Sequence, residues 1–201
     1  MTYVIILINI LVFSVEILLG GSTNTNVLIF MGAKVNELIA VGQYWRFLTP
    51  MFLHIGYMHI FVNMISLKNT GPFIEKFIGR LWFVIIYIFS GMTGNIMSYF
   101  FSSSISAGAS TSIFGVIGSV CMCGVFYRHN NQVRAVGWNM WKFALANLAI
   151  NIFQPGIDLF GHLGGFLGGC LITTIILLFK TSSDKKVVEV SKWKNLRVRN
   201  I

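Results

Sequence analysis

Charged residues are scarce in this chain, and their scarcity argues against a soluble protein. Asp, Glu, Lys and Arg make up 10% of its 201 residues, while 55% are hydrophobic and the mean hydropathy is +0.75. Soluble globular domains carry about 25% charged residues. We therefore expect an all-α polytopic membrane protein.

Acidic residues and cysteines are also few. There are 6 Asp and Glu against 15 Lys and Arg, which gives a net charge of +9. In a membrane protein this excess fits cytoplasmic loops near anionic headgroups, so we expect no nucleic-acid partner. The three cysteines lack metal-ligand spacing, and Cys121 and Cys123 point to different faces of a helix. We interpret all three as buried apolar residues.

Six segments are apolar enough to be candidate membrane spans, which need about 20 residues each. They cover residues 3–19, 51–67, 80–101, 110–127, 138–153 and 159–179. The segment 20–45 is only moderately apolar and contains Trp and Tyr, so we expect a first loop partly embedded in the membrane. We interpret the first span as retained and not as a cleaved signal peptide. The prediction is a six-span domain over residues 1–180 and a basic tail over residues 181–201.

The basic residues predict the orientation of these spans. If the N-terminus is inside, all 15 Lys and Arg except Lys34 and Arg46 lie on the inner side. We therefore expect both termini in the cytoplasm. The loop before Ser110 and the turn before His162 then lie together on the outer side.

Ser110 is the candidate nucleophile. A serine in a membrane helix commonly bonds a backbone carbonyl or a neighbouring helix, which is the structural alternative. Catalysis is favoured because Gly108 permits a tight turn and because the helix start offers free N–H groups to an oxyanion. Gly115 and Gly118 also let another helix approach closely. Ser112, the rival nucleophile, points roughly 200° away around the helix.

His162 is the candidate general base. Buried histidines are usually structural, but ionisable residues at membrane depth are costly and indicate function. Gly165 and Gly169 share its helix face and favour close packing against the helix of Ser110. Such packing would bring the imidazole within hydrogen-bond reach of the hydroxyl.

An acidic third member of the site is missing from the sequence. Only Asp158 is near His162, and it either orients the ring or caps the last helix, the interpretation that we prefer. The sequence therefore predicts a Ser–His dyad and not a triad. Phe114, one turn after Ser110, is placed to stack on the imidazole.

Two further polar residues, His59 and Asn63, share one face of the second span. They either form an interhelical hydrogen-bond pair or donate to an oxyanion beside the Ser110 N–H. We interpret His54 as a structural hydrogen-bonding residue of the first loop. No metal is expected, because His54 and His59 point about 140° apart and no carboxylate accompanies them.

These residues follow one another in the order of a known family. The motifs are GQYWR (42–46), FLTPMFLH (47–54), HIFVN (59–63), GAS (108–110) with Phe114 and Gly115, and GHLGG (161–165) with Gly169. Through them the chain resembles the rhomboid intramembrane serine proteases, and more closely their minimal six-span bacterial type. The resemblance covers roughly residues 1–180.

The resemblance implies Ser110 as nucleophile and His162 as base, with Asn63, His59 and the Ser110 N–H as oxyanion hole. Many members of the family have Gly where Thr111 stands, so we expect extra bulk near that hole. It further implies a six-transmembrane-helix bundle in the bacterial plasma membrane and no cofactor.

The expected partners are the lipid bilayer and single-span or other transmembrane protein substrates. The resemblance implies that substrates enter near the fifth span. The alternative function is a catalytically silent rhomboid-like protein that binds transmembrane helices without cutting them. A transporter is disfavoured, because no charged residue is expected deep in spans two to six.

Overall fold

The computed structural model describes residues 1–154 and 156–183, with side chains up to residue 180. These residues form eight α-helices and two 3-10 turns, Tyr44–Phe47 and Thr49–Phe52. The helices are α1 (Thr2–Leu18), α2 (Thr25–Met31), α3 (Asn36–Ala40), α4 (Tyr57–Ile78), α5 (Arg80–Phe101), α6 (Ser110–Phe126), α7 (Asn131–Asn151) and α8 (Leu159–Ser183). The expected all-α fold is confirmed. The predicted tail lies almost entirely outside the described residues.

Apolar helices of membrane-spanning character are present in this fold. Arg80–Phe101 and Leu159–Lys180 have the length and hydropathy to cross a bilayer, while Thr2–Leu18 and Ser110–Phe126 are apolar but shorter. Large hydrophobic side chains are exposed on many helices, including Leu18, Leu81, Phe153 and Phe179. Soluble monomers rarely expose apolar surface on this scale, so these helices fit an integral membrane protein.

The predicted second span has wrong boundaries. α4 begins at Tyr57 and not at residue 51, because Pro50 and Met51 belong to a 3-10 turn and Gly56, with φ +83°, precedes the helix. The helix also continues past residue 67 to Ile78, where Gly79 with φ +111° ends it. Glycine reaches these positive φ values without the penalty that a Cβ imposes.

The predicted fifth span begins too late. α7 starts at Asn131, since Asn130 Oδ1 accepts hydrogen bonds from the backbone N–H groups of Gln132 and Val133 at 3.0 and 3.2 Å, as an N-cap does. Lys142 consequently lies near the middle of α7. Its ammonium lies 6.0 Å from the Trp138 ring centroid, back toward the start of the helix.

α6 is the central helix and is buried on nearly every side, in contact with α4, α5, α7 and α8. Its contact with α8 is a glycine seam formed by Gly115 and Gly118 on α6 and Gly165 and Gly169 on α8. A Cβ at Gly118 would lie 2.5 Å from the Phe166 carbonyl oxygen, and one at Gly169 would overlap the Gly115 carbonyl. The two backbones therefore touch directly, as small residues allow in membrane helices.

The first loop, residues 19–56, is fastened to the segment that precedes α6. Lys34 forms an isolated antiparallel bridge with Ser106. The Lys34 ammonium donates to the carbonyl oxygens of Ser102 and Ser104 at 2.7 and 2.9 Å. These bonds fix the position from which the chain turns into Ser110.

Arg46 holds the same loop together from inside. Its guanidinium donates from Nε to Gln43 Oε1 at 2.8 Å and from one terminal nitrogen to the carbonyl oxygens of Ile29 and Ala33 at 2.9 and 2.7 Å. Arg46 is buried, whereas the preceding Trp45 is exposed. The GQYWR motif is thus a structural element of the first loop.

A single methyl group in the glycine seam is expected to destabilise the fold. Gly169→Ala should lower the free energy of unfolding by about 1–3 kcal/mol, because the new Cβ overlaps the Gly115 carbonyl and the helices must separate. The loss should appear although Ala is the better helix former by about 1 kcal/mol. Thermal unfolding in detergent micelles measures it, with Leu171→Ala on the exposed face of α8 as control. Equal stability of Gly169→Ala and the unmodified chain would contradict the seam.

Candidate active site

Ser110 is the first residue of α6 and follows a backbone turn that favours glycine. Gly108 has φ +156°, and a Cβ added there would lie 2.6 Å from Cε1 of His59. The Gly108 N–H donates to the Pro50 carbonyl at 2.9 Å, and the intervening Ala109 is fully buried. The chain therefore enters α6 in one orientation, which directs the Ser110 hydroxyl into the bundle.

His162 lies in the first turns of α8 and faces Ser110. The distance from His162 Nε2 to Ser110 Oγ is 2.8 Å, which is a hydrogen bond. The imidazole is 8% exposed and stacks on Phe114, with ring centroids 4.4 Å apart and planes 15° from parallel. The structure therefore brings together Ser110 and His162, the two residues that the sequence singled out. Phe114 stacks on the imidazole, as the sequence predicted.

Asp158 is the N-cap of α8. Its Oδ1 accepts a hydrogen bond from the Gly161 N–H at 2.8 Å, which satisfies one of the free donors of the first turn. Its carboxylate also lies near the Lys34 ammonium of the first loop. Burial lowers the pKa of Lys34, and the negative charges of Asp158 and Glu37 oppose this shift. Of the two roles considered for Asp158, the contacts favour the cap.

The partner of His162 Nδ1 is Asn151, a residue that the sequence analysis did not single out. Asn151 Nδ2 lies 2.6 Å from Nδ1, and both side chains are buried. Asn151 is the last residue of α7 and therefore brings a third helix to the site. The available signal was a carboxamide at the end of α7 that lies eleven residues before His162.

His59 and Asn63 lie on α4 on the other side of Ser110. Nδ1 of His59 accepts a hydrogen bond from the Ile55 N–H at 3.3 Å, and Nε2 is 2.9 Å from the position of a Cβ at Gly108. The His59 ring thus lies against the backbone that leads into Ser110. Asn63 is buried, and its Nδ2 donates to the His59 carbonyl at 3.0 Å. The two residues are linked to each other within α4.

His54 contributes to the first loop through its backbone. Its N–H donates to Glu16 Oε1 on α1 at 3.0 Å, while its buried ring packs edge-on against His59 with centroids 5.3 Å apart. Among the described residues, no group of three or more His, Cys, Asp or Glu could hold a metal ion.

Two neighbours of Ser110 point elsewhere. The Thr111 side chain packs against Gly94 on α5 and Gly161 on α8, within 3.1 Å of a Cβ added at either. Glycines on two facing helices therefore accommodate the bulk of Thr111. Ser112 is fully buried, and its hydroxyl contacts Met51 Sδ at 3.6 Å.

Comparison with known proteins identifies the family of the chain. The family model of the Rhomboid domain matches residues 41–179, a stretch that contains every site residue named above. The chain belongs to the rhomboid family. It is 41% identical over 185 residues to "Rhomboid protease GluP" of Bacillus subtilis, covering 92% of this chain and 36% of that protein.

More distant relatives of this rhomboid chain come from eukaryotes. "Rhomboid-like protease 1" of Toxoplasma gondii is 38% identical, over 81% of this chain and 56% of its own length. "RHOMBOID-like protein 4" of Arabidopsis thaliana is 32% identical, over 73% of this chain and 38% of its own length. The chain thus spans between about a third and just over half of the length of these three relatives.

The cap at the start of α8 gives a test of the scaffold. Asp158→Ala should lower the free energy of unfolding by about 1 kcal/mol, because the Gly161 N–H loses its acceptor. Asp158→Asn should keep most of the stability, since an asparagine oxygen caps equally well. Thermal unfolding in detergent micelles compares the two. A loss in Asp158→Asn as large as in Asp158→Ala would instead assign the effect to the negative charge.

Proposed function

We propose that this protein is an intramembrane serine endopeptidase, which hydrolyses peptide bonds within or next to transmembrane helices of membrane-protein substrates through a Ser110–His162 dyad. The 2.8 Å contact between Ser110 Oγ and His162 Nε2 carries the proposal, because it is the reach that a general base needs. The relatives named proteases support it.

In the proposed reaction, Ser110 Oγ attacks the scissile carbonyl carbon while His162 Nε2 accepts the hydroxyl proton. The new C–O bond leaves the electron pair of the C=O π bond on the carbonyl oxygen. The tetrahedral intermediate then expels the amine, which takes the proton from His162, and an acyl-enzyme remains. Water gives a proton to His162, attacks the ester and releases the carboxyl product, and Ser110 Oγ regains its proton.

The oxyanion is stabilised, in this proposal, by the Ser110 N–H, His59 and Asn63. Since His59 Nδ1 accepts the Ile55 N–H, the neutral ring carries its proton on Nε2, the nitrogen near Gly108. Asn63 Nδ2 uses one of its two hydrogens for the His59 carbonyl and keeps the second for a ligand.

We further propose that residues 1–180 form a six-span domain of a bacterial plasma membrane, with both termini cytoplasmic. The excess of basic residues at the end opposite Ser110 supports this orientation. Substrate helices approach α7, and water reaches the dyad from the outer side. A cavity of about 320 Å³, whose polar lining includes Ser102, Asn151 and Gln154, lies at that end and reaches Asn151, the side chain that contacts His162.

The dyad is tested by cleavage of a single-span substrate in proteoliposomes. Ser110→Ala and His162→Ala should each abolish detectable cleavage, because each removes one half of the nucleophile–base pair. Ser112→Ala, which alters the hydroxyl directed at Met51, should cleave at close to the original rate.

Ser110→Ala and the unmodified chain separate the rival functions. Cleavage retained in Ser110→Ala would eliminate Ser110 as nucleophile. An unmodified chain that binds transmembrane helices but neither cleaves them nor reacts with a fluorophosphonate would be the catalytically silent rhomboid-like protein.

The oxyanion hole makes a separate prediction. Asn63→Ala and His59→Ala should each reduce kcat by about a hundredfold, because one donor to the transition state is lost. Asn69→Ala, on the exposed part of α4, and His129→Ala, in the loop before α7, are matched controls that should leave kcat unchanged. An effect on KM alone would show that the residues bind substrate and do not stabilise the oxyanion.

A further inference from the structure

A hydrogen bond joins His162 to α7, and the chemistry of the dyad makes its direction decisive. Asn151 Nδ2 lies 2.6 Å from His162 Nδ1, and Ser110 Oγ lies 2.8 Å from Nε2 on the opposite side of the ring. A neutral imidazole carries one proton, so the group that faces Nδ1 determines what Nε2 offers to the serine.

The two orientations of the Asn151 carboxamide have opposite consequences. If Nδ2 donates to Nδ1, the ring proton is on Nε2, and His162 donates to Ser110 and cannot accept its proton. If Oδ1 faces the ring, it accepts a hydrogen bond from Nδ1–H, and the Nε2 lone pair is directed at the serine hydroxyl. A half-turn of the carboxamide exchanges the two arrangements at almost the same heavy-atom positions.

We propose that Asn151 is the positioning residue of the catalytic base, and that its Oδ1 accepts the Nδ1–H of His162 in the reacting state. This inference rests on the proposed function. It fixes the tautomer that can accept the Ser110 proton, and it stabilises the imidazolium that forms in the transition state. An asparagine serves the histidine in the same way in Cys–His–Asn proteases.

The position of Asn151 also links the base to α7. α7 packs chiefly against α6, and near its other end Gly137 approaches Gly124 of α6 so closely that a Cβ at Gly124 would lie 2.8 Å from the Gly137 Cα. It has few contacts with α8, and the Asn151–His162 bond is one of them. A displacement of α7 at this end therefore acts directly on the tautomer of His162.

The surroundings of the ring simplify the test. The titratable groups that act on His162 are Asp158 on its own helix and His59 on α4, while α6 presents Ser110 and Phe114. A change at Asn151 leaves all of these in place. A shift in the pH profile of an Asn151 variant with an uncharged side chain therefore reports on the bond to Nδ1.

Three variants, with Asn147→Leu as control, test the proposal in the reconstituted cleavage assay. Asn147 lies one turn earlier on α7 and bonds only its own helix, at the Phe143 carbonyl. Asn151→Leu and Asn151→Ala should lower kcat at least about tenfold with KM unchanged, and slow fluorophosphonate labelling of Ser110 in parallel. Asn151→Asp, which can only accept from Nδ1–H, should keep kcat within about tenfold of the parent and move the acid limb of its pH profile to higher pH.

The outcomes are distinguishable from a failure of the proposed function. If Ser110→Ala still cleaves, the dyad itself is wrong. If Ser110→Ala is inactive but Asn151→Leu matches Asn147→Leu in kcat, or Asn151→Asp leaves the acid limb in place, Asn151 is not the positioning residue. Should Asn151→Leu fail to fold, kcat of Asn151→Ala against kcat of Asn151→Asp decides, since of the two side chains only that of Asp can accept from Nδ1–H.

Discussion

Direct backbone contact between α6 and α8 is the constraint on which the site depends. Ser110 and His162 stand at the starts of these two helices, at the same end of the bundle, so the separation of the helices sets the distance between hydroxyl and imidazole. The glycine seam keeps that separation at its minimum, because a Cβ at Gly165 or Gly169 would overlap carbonyl groups of α6. A displacement of about 1 Å is enough to weaken catalysis strongly.

The first loop holds the segment that leads into Ser110. Lys34 and Arg46 are buried, and each donates two hydrogen bonds to backbone carbonyls. Such bonds hold irregular backbone in place where water is excluded. The His59 ring packs against the turn at Gly108, and Ser110 follows this turn in the chain. The first loop, α4 and α6 therefore meet around the Ser110 hydroxyl.

Much of this site was readable from the sequence, and the unreadable parts have a physical explanation. A hydroxyl and an imidazole beside glycines in apolar segments are costly unless used, which made Ser110 and His162 conspicuous. Helix ends were predicted less well, because an averaged hydropathy does not register the Asn130 cap. Asn151 was missed since an asparagine in a helix can equally bond a carbonyl of its own helix, as Asn9 and Asn147 do.

The distribution of acidic groups explains why a neutral residue stands behind the base. Glu75 binds the N–H and hydroxyl of Thr2, Glu16 accepts the His54 N–H, and Asp158 caps α8, so these carboxylates serve the scaffold. A carboxylate beside a buried imidazole would have to be desolvated, a penalty that their mutual attraction need not recover. A carboxamide fixes a tautomer without adding charge. In the proposed mechanism the imidazolium has the oxyanion itself as its counter-ion, and the Ser110 N–H, His59 and Asn63 are the donors that would stabilise that oxyanion.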